Sequence, residues 1–284
     1  MVEVQSYASP AMKSRLMWMA LVAWLFAWPV GVHAESVVNL ERYGGKLRQV
    51  TVRIAGSDHK FLFDTGGGHT LISPSLASAI GCTPSGRIHG YRMSGEKFET
   101  PTCANVSFSV GALVTRDETV GVFDLMLLLP KEAPRLDGVI SLATFQDRAI
   151  AFDLAANKIV VDPAGQALPG QPFRCRLATG SDGADYTLFA NIQRGGAGFW
   201  FEVDSGNADT VLIAPHAAGH FGLGNTAAAA PVAIKLALGE GRSAPADARV
   251  ADIIFDGALS AGFLEGGVLF ADLRARPRCS WLMR

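Results

Sequence analysis

The sequence predicts an all-β protein built from two duplicated, β-barrel-like lobes. Glycine and proline account for 31 and 14 of the 284 residues, without a fixed short period, which favours short strands joined by many turns. Apolar residues make up 49% of the chain and charged residues 18%, which is enough apolar material for a sizeable core. The third observation is an internal repeat, which defines the two lobes and is described after the N-terminus and the cysteines.

The first 34 residues have the pattern of a secretory signal peptide. Lys13 and Arg15 precede an apolar run over residues 16–30, and small residues stand at both positions that a signal peptidase reads, Val32 and Ala34. The run is shorter than the roughly 20 apolar residues of a spanning helix, so a retained anchor is the weaker alternative. We therefore expect a periplasmic or secreted protein without membrane contact after signal cleavage.

The near-neutral charge limits the possible partners. The formal net charge is -1, whereas binding a nucleic acid backbone requires a clustered excess of Lys and Arg. Nucleic acid is therefore not expected as a partner.

The four cysteines fit an exported protein with disulfide bonds. No pair has the CxxC spacing of a zinc site, so no metal is expected. Four cysteines allow three pairings, of which Cys82 with Cys103 and Cys175 with Cys279 would keep each bridge within one half of the chain. Four free thiols remain the alternative.

A weak copy of the first half recurs in the second half. Residues 50–74 and 188–215 each contain two alternating apolar runs around a turn, the pattern of a β-hairpin. The turns are predicted at Gly56-Ser57-Asp58 and at Gly195-Gly196. Repeats of this kind decide the architecture, because each copy predicts one structural unit.

Each predicted hairpin ends in an acidic residue, a hydroxyl residue and a glycine. The triplets are Asp64-Thr65-Gly66 and Asp204-Ser205-Gly206, which lie 140 residues apart. A second pair of segments, residues 136–141 and 255–260, also agrees in sequence, at an offset of 119. Two motifs in the same order indicate a duplication.

The copies differ in length between these motifs. The first carries Arg87–Pro101, a hairpin-like stretch that the second lacks. Proline and glycine are concentrated between residues 163 and 172, which predicts a linker. The predicted organisation is a signal peptide at 1–34, a first lobe at 35–162, the linker at 163–172 and a second lobe at 173–284.

The two acidic residues can act as one catalytic unit. A carboxylate at a strand end followed by glycine lies at a sheet edge, and the duplication would bring Asp64 and Asp204 face to face. Two carboxyl groups about 3 Å apart share one proton. The ionised partner can take a proton from an attacking water while the other hydrogen-bonds the oxyanion. Thr65 and Ser205 offer hydroxyls that could hold the opposite loop in place.

The repeated triplets and second motifs resemble aspartic proteases of the pepsin and retropepsin type, with two retropepsin-like lobes in one chain. The resemblance extends from about Val50 to Leu282 and implies a bilobed pepsin-like fold and catalytic roles for Asp64 and Asp204. It also implies that Thr65, Gly66, Ser205 and Gly206 support the catalytic loops, and that Gly90 and Tyr91 belong to a flap over the substrate.

Some positions depart from this family. Ser141 and Ser260 stand where the second motif has glycine, and Asp209 adds a third carboxylate near the second triplet, where it could raise the titration of the pair if it points inward.

The resemblance implies an exported aspartic endopeptidase that needs no cofactor, takes a peptide or protein substrate and acts as a monomer. The alternative is a catalytically silent module of the same fold that binds peptides or another exported protein. Intact acidic and hydroxyl residues in both triplets favour the enzyme, whereas Ser141 and Ser260 favour the alternative.

Overall fold

A computed structural model describes residues 35–164, 168–179, 185–224, 230–240, 243–274 and 276–284. The predicted signal peptide and residues 165–167 of the predicted linker lie outside the described residues. The predicted lobe boundaries therefore stay predictions. Within the described ranges, no helix is long and apolar enough to cross a membrane.

The first half of the described chain consists mainly of strands. These are β1 Ser36–Tyr43, β2 Leu47–Ile54, β3 Ser57–Phe63, β4 Leu71–Ile72, β5 Arg87–Tyr91, β6 Lys97–Val110, β7 Leu113–Val122, β8 Gly138–Ile140, β9 Ala149–Asp153 and β10 Lys158–Val161. The helices here are α1 Pro74–Ala79 and the 3-10 turns Leu125–Leu128 and Leu142–Phe145.

The second half repeats this composition. Its strands are β11 Gln171–Phe173, β12 Cys175–Thr179, β13 Tyr186–Arg194, β14 Ala197–Val203, β15 Val211–Ile213, β16 Val232–Leu236, β17 Ala244–Val250, β18 Gly257–Leu259, β19 Gly267–Asp272 and β20 Arg278–Met283. Its helices are α2 Pro215–Ala218, α3 Ala261–Leu264 and the 3-10 turn Gly219–Phe221.

The duplication is visible in the strand pairing. In the first lobe β3 runs parallel to β8, with Phe61 opposite Gly138, and β4 pairs with β7 and β8. In the second lobe β14 runs parallel to β18, with Phe201 opposite Gly257, and β15 pairs with β17 and β18. The second motif of each copy therefore pairs with the strand that leads to the triplet, which explains why both motifs recur together.

The two lobes close differently. In the first lobe the strands are ordered β2-β3-β8-β4-β7-β6. Because β6 also pairs with β2, this sheet closes into a barrel. In the second lobe, the described strands are ordered β12-β13-β14-β18-β15-β17-β16. A sheet ordered β11-β20-β19-β9-β10-β1 joins the lobes, and Phe152 on β9 lies opposite Leu269 on β19. This is the all-β bilobed architecture that the sequence predicts.

Both hairpins use tight two-residue turns. In the second lobe the turn is Gly195-Gly196, as predicted, with positive φ at both residues. In the first lobe the turn is Ala55-Gly56, and Ser57 already belongs to β3, so the predicted Gly56-Ser57-Asp58 was wrong by one residue. A two-residue turn that matches strand twist needs positive φ at both positions, and Ala55 adopts it at 48°.

The structure contains two disulfides, Cys82–Cys103 and Cys175–Cys279. This is the pairing in which each bridge stays within one half of the chain. The first bridges the end of the α1 segment to β6, on either side of the hairpin formed by β5 and β6. The second joins β12 to β20 and so ties the second-lobe sheet to the sheet between the lobes. The alternative of four free thiols is therefore excluded.

Candidate active site

Asp64 and Asp204 follow β3 and β14, and the fold brings their carboxyl groups together. The two groups, one from each lobe, lie close enough for each to shift the pKa of the other. The glycines of the triplets permit this approach: a Cβ atom at Gly206 would lie 2.5 Å from Cγ of Asp64, and one at Gly66 would lie 2.8 Å from Cγ of Asp204. A side chain at either glycine would therefore displace the opposite carboxyl group.

Backbone amides fix the orientation of both carboxyl groups. The Gly66 N–H donates to Oδ1 of Asp64 at 2.9 Å, and the Gly206 N–H donates to Oδ1 of Asp204 at 2.8 Å. Asn207 adds a second backbone bond to Asp204, at 3.1 Å. The Asp64 backbone N–H itself donates to the carbonyl of Ile140 at 3.0 Å. The second motif, at the end of β8, therefore holds the loop of the first triplet in place.

The two hydroxyls of the triplets hold the opposing loops. Thr65 Oγ1 donates to the carbonyl of Val203 at 2.6 Å, and Ser205 Oγ donates to the carbonyl of Phe63 at 3.0 Å. Each hydroxyl also accepts the backbone N–H of the other residue, both at 3.0 Å. Both side chains are buried, at 1% exposure, so these bonds are shielded from water. The site thus depends on contacts that both lobes make at once.

Burial and proximity separate the two carboxyl groups in proton affinity. Burial and then the charge of Asp64 raise the pKa of Asp204 well above its ordinary value. Burial also raises the pKa of Asp64, but hydrogen bonds from Gly66, Gly206 and the Asp204 carboxyl oppose that rise. Asp204 therefore holds a proton more tightly than Asp64 does, so a proton shared by the pair lies on Asp204.

A third carboxyl group next to the pair was missed by the sequence analysis. Glu202 lies two residues before Asp204 on β14 and is only 4% exposed. Burial, and then the charges of Asp204, Asp64 and Asp185, raise its pKa well above the ordinary value. The sequence did contain a signal for this position. Glu202 corresponds to Leu62 in the first copy, and residues two apart on a strand share a face, so Glu202 was expected on the same side as Asp204.

Asp209, the third carboxylate that the sequence analysis named, lies elsewhere. Its side chain is exposed, and its backbone carbonyl accepts a hydrogen bond from Ser260 Oγ at 3.0 Å. The causes of the raised Asp204 pKa do not include it. The suggestion that Asp209 raises the pKa of the pair is therefore not supported by the structure.

The Arg87–Pro101 segment is a β-hairpin. Its strands β5 and β6 pair from Arg87 opposite Pro101 to Tyr91 opposite Lys97. At the tip, the carbonyl of Met93 accepts the backbone N–H of Ile254 at 2.9 Å, so the hairpin contacts the second lobe. Gly90 and Tyr91 both lie on β5, and the Tyr91 side chain is 69% exposed. Their role in binding a substrate stays a prediction.

Ser141 and Ser260, the departures from the family pattern, cap short helical turns. Ser141 Oγ accepts the N–H of Ala143 at 3.3 Å and lies 3.3 Å from Oγ1 of Thr70. Ser260 Oγ accepts the N–H of Phe263 at 3.2 Å. Both side chains are fully buried, and their hydroxyls are used locally.

Comparison with known proteins agrees with this architecture. Residues 50–143 match a family described as "Aspartyl protease". Among solved structures, basic 7S globulin from soybean aligns with a TM-score of 0.56 and 10% identity, over 87% of this chain and 94% of that chain. No curated protein matches the sequence significantly. The chain therefore has the bilobed, pepsin-like all-β fold, and residues 50–143 of its first half resemble aspartyl proteases in sequence.

Proposed function

We propose that this chain is an exported aspartic endopeptidase, in which a water molecule activated between Asp64 and Asp204 hydrolyses a peptide bond. The observation that supports the proposal most strongly is the pair of carboxyl groups, one from each lobe, that meet across the glycines of the two triplets. The assignments of Gly66, Gly206, Thr65 and Ser205 as supporting residues belong to the same proposal.

The two carboxyl groups have different roles in this mechanism. Ionised Asp64 accepts a proton from the water as its oxygen attacks the amide carbon, and protonated Asp204 donates a hydrogen bond to the carbonyl oxygen. The tetrahedral intermediate collapses when Asp64 passes the proton that it took from the water to the leaving nitrogen and the C–N bond breaks. The pair is then left with one proton, on Asp204.

The hairpin of β5 and β6 would close over the bound peptide. Its base is held by the Cys82–Cys103 disulfide, while its tip is held by the contact between Met93 and Ile254. Closure excludes water from the carboxyl pair and aligns the peptide, which favours attack by the one water between the carboxyl groups.

Export, the substrate class and a monomeric state are part of the proposal. The two disulfides persist in an oxidising compartment, which supports a periplasmic or secreted location after removal of residues 1–34. The substrate would be a peptide or protein, without a cofactor, nucleic acid or membrane. The silent peptide-binding alternative depended on Ser141 and Ser260, whose hydroxyls cap local turns.

The test is cleavage of a mixed peptide library by oxidised protein comprising residues 35–284, with and without pepstatin. We expect new peptide termini, detected by mass spectrometry, that disappear when pepstatin is present. Asp209→Asn is the matched control, because this exposed carboxylate lies in the same loop as Asp204, and the variant should cleave as the parent does. Binding of pepstatin by folded protein without any cleavage would support the silent module instead.

A further inference from the structure

The two lobes place different residues at one equivalent position beside the carboxyl pair. Leu62 lies opposite Val139 in the parallel pairing of β3 with β8, and Glu202 lies opposite Ala258 in the pairing of β14 with β18. Each stands two residues before its catalytic Asp and therefore shares its face of the strand. Both are 4% exposed, so the duplication has put an apolar and an acidic side chain in matching places.

The first-lobe position is apolar. Leu62 belongs to a separate cluster of buried apolar residues next to the hairpin, which includes Ile88 on β5. The other buried members of this cluster are Tyr43, Leu71, Leu125, Leu136 and Val139. A peptide side chain on this side of the carboxyl pair would contact hydrocarbon.

The second-lobe position is acidic and lacks a cation. The charges that act on Glu202 are those of Asp204, Asp64 and Asp185, and the ion pairs among the described residues do not include it. Arg176, which lies two strands away on the same face of the sheet, stands over the rings of Trp200 and Phe189, at 4.6 and 5.0 Å. A buried carboxylate without a countercharge is costly.

We propose that Glu202 selects a basic side chain, Lys or Arg, next to the scissile bond on the second-lobe side. Residues two apart on a strand are separated by about 7 Å, which an extended Lys or Arg side chain spans from a scissile bond held at Asp204. On binding, the ammonium or guanidinium group would stabilise the ionised form of Glu202 and pair with it, while Leu62 and its cluster favour an apolar side chain on the other side. This inference deepens the proposed function and rests on it.

The test uses two peptide series in which one residue, either before or after the scissile bond, is Lys or its uncharged isostere norleucine. For one of the two positions, we expect the parent protein to cleave the Lys peptide with a kcat/KM about tenfold higher or more. Glu202→Gln and Glu202→Leu should abolish that ratio, and Glu202→Asp should restore part of it. Glu132→Gln, which alters an exposed carboxylate, is the control and should leave the ratio unchanged.

The outcomes separate the inference from the proposed function. Cleavage with the same Lys-to-norleucine ratio in the parent and in Glu202→Leu would overturn the role of Glu202 and leave the peptidase intact. If folded protein cleaves neither series, the proposed function fails. Calorimetric binding of the same peptides then tests whether Glu202 recognises the Lys side chain. Tighter binding of the Lys peptide that is lost in Glu202→Leu would support the inference, and equal binding would overturn it.

Discussion

The loops that carry the Asp64 and Asp204 triplets are near copies, but their surroundings differ. Thr65 and Ser205 make matching hydrogen bonds to the opposite loop. Gly66 and Gly206 each lie close to the carboxyl group of the opposite triplet. The asymmetry comes from outside the triplets, where the first lobe supplies a hairpin and an apolar cluster, and the second supplies Glu202. Duplication thus accounts for the geometry of the carboxyl pair, whereas the residues that flank the pair differ between the lobes.

The largest effect is expected from amide substitutions at the pair. Asp64→Asn and Asp204→Asn should each lower kcat/KM about 10²- to 10⁴-fold, because neither variant keeps both a base and an acid. Their stabilities should differ: a neutral amide resembles the protonated Asp204, whereas at position 64 it replaces a carboxylate that accepts several N–H bonds, at a cost of about 1–3 kcal/mol. Peptide cleavage and thermal melting measure both. Parent-like activity in either variant would refute the shared roles.

Shortening the hairpin tests the asymmetry between the lobes. Gly90 lies opposite Phe98, so an Asn-Gly turn joining them keeps the register while removing the tip. We expect kcat/KM to fall about tenfold or more while the melting temperature changes little, because the Cys82–Cys103 bridge still holds the base. Gly195→Asn, which makes the same turn in the second-lobe hairpin, is the control. Unchanged cleavage would make the segment a surface insertion, and a collapsed melting transition would place it in the core.

A smaller effect is expected from the hydroxyls between the loops. Thr65→Val removes the donor to the Val203 carbonyl and the acceptor for the Ser205 N–H, which should reduce the free energy of unfolding by about 1–3 kcal/mol. Thr51→Val, at a half-buried position on β2, should change it by no more than about 0.5 kcal/mol. Chemical denaturation measures both changes. Equal losses in the free energy of unfolding for Thr65→Val and Thr51→Val would contradict a stabilising role for the hydrogen bonds between the loops.

The smallest effect concerns the departures from the family pattern. Ser141→Gly should cost only a few tenths of a kcal/mol, because glycine is itself a tolerated residue at a helix N-cap. Ser260→Gly should cost more, since Ser260 also donates to the carbonyl of Asp209 at 3.0 Å, whereas the second contact of Ser141, with Oγ1 of Thr70, is longer, at 3.3 Å. Cleavage should be preserved in both variants, as measured with the same peptides. A large gain in activity on restoring glycine would show that the serines impair the loops.

The sequence predicted the repeated features better than the features of a single lobe. Two triplets in register with a second motif predicted the duplication, and the length difference located the hairpin, whereas the pairing of β3 with β8 and of β14 with β18 came from the structure. The position of Glu202 beside the pair was not predicted, because one Glu before a triplet is informative only when its neighbours in space are known. The sheet between the lobes was also missed, since the pairing of β9 with β19 joins strands distant in sequence.

The central claim is that Asp64 and Asp204 share one proton. The most direct test of this claim is the pH dependence of kcat/KM for peptide cleavage. Activity should rise with pH as Asp64 loses its proton, and fall again when Asp204 loses the proton that it holds. Because the pKa of Asp204 is raised well above 3.8, the descending limb should lie well above the ordinary range of a carboxyl group. A bell-shaped profile is therefore expected. Activity that rises continuously into the alkaline range would contradict the account, because it would mean that no protonated carboxyl group is needed.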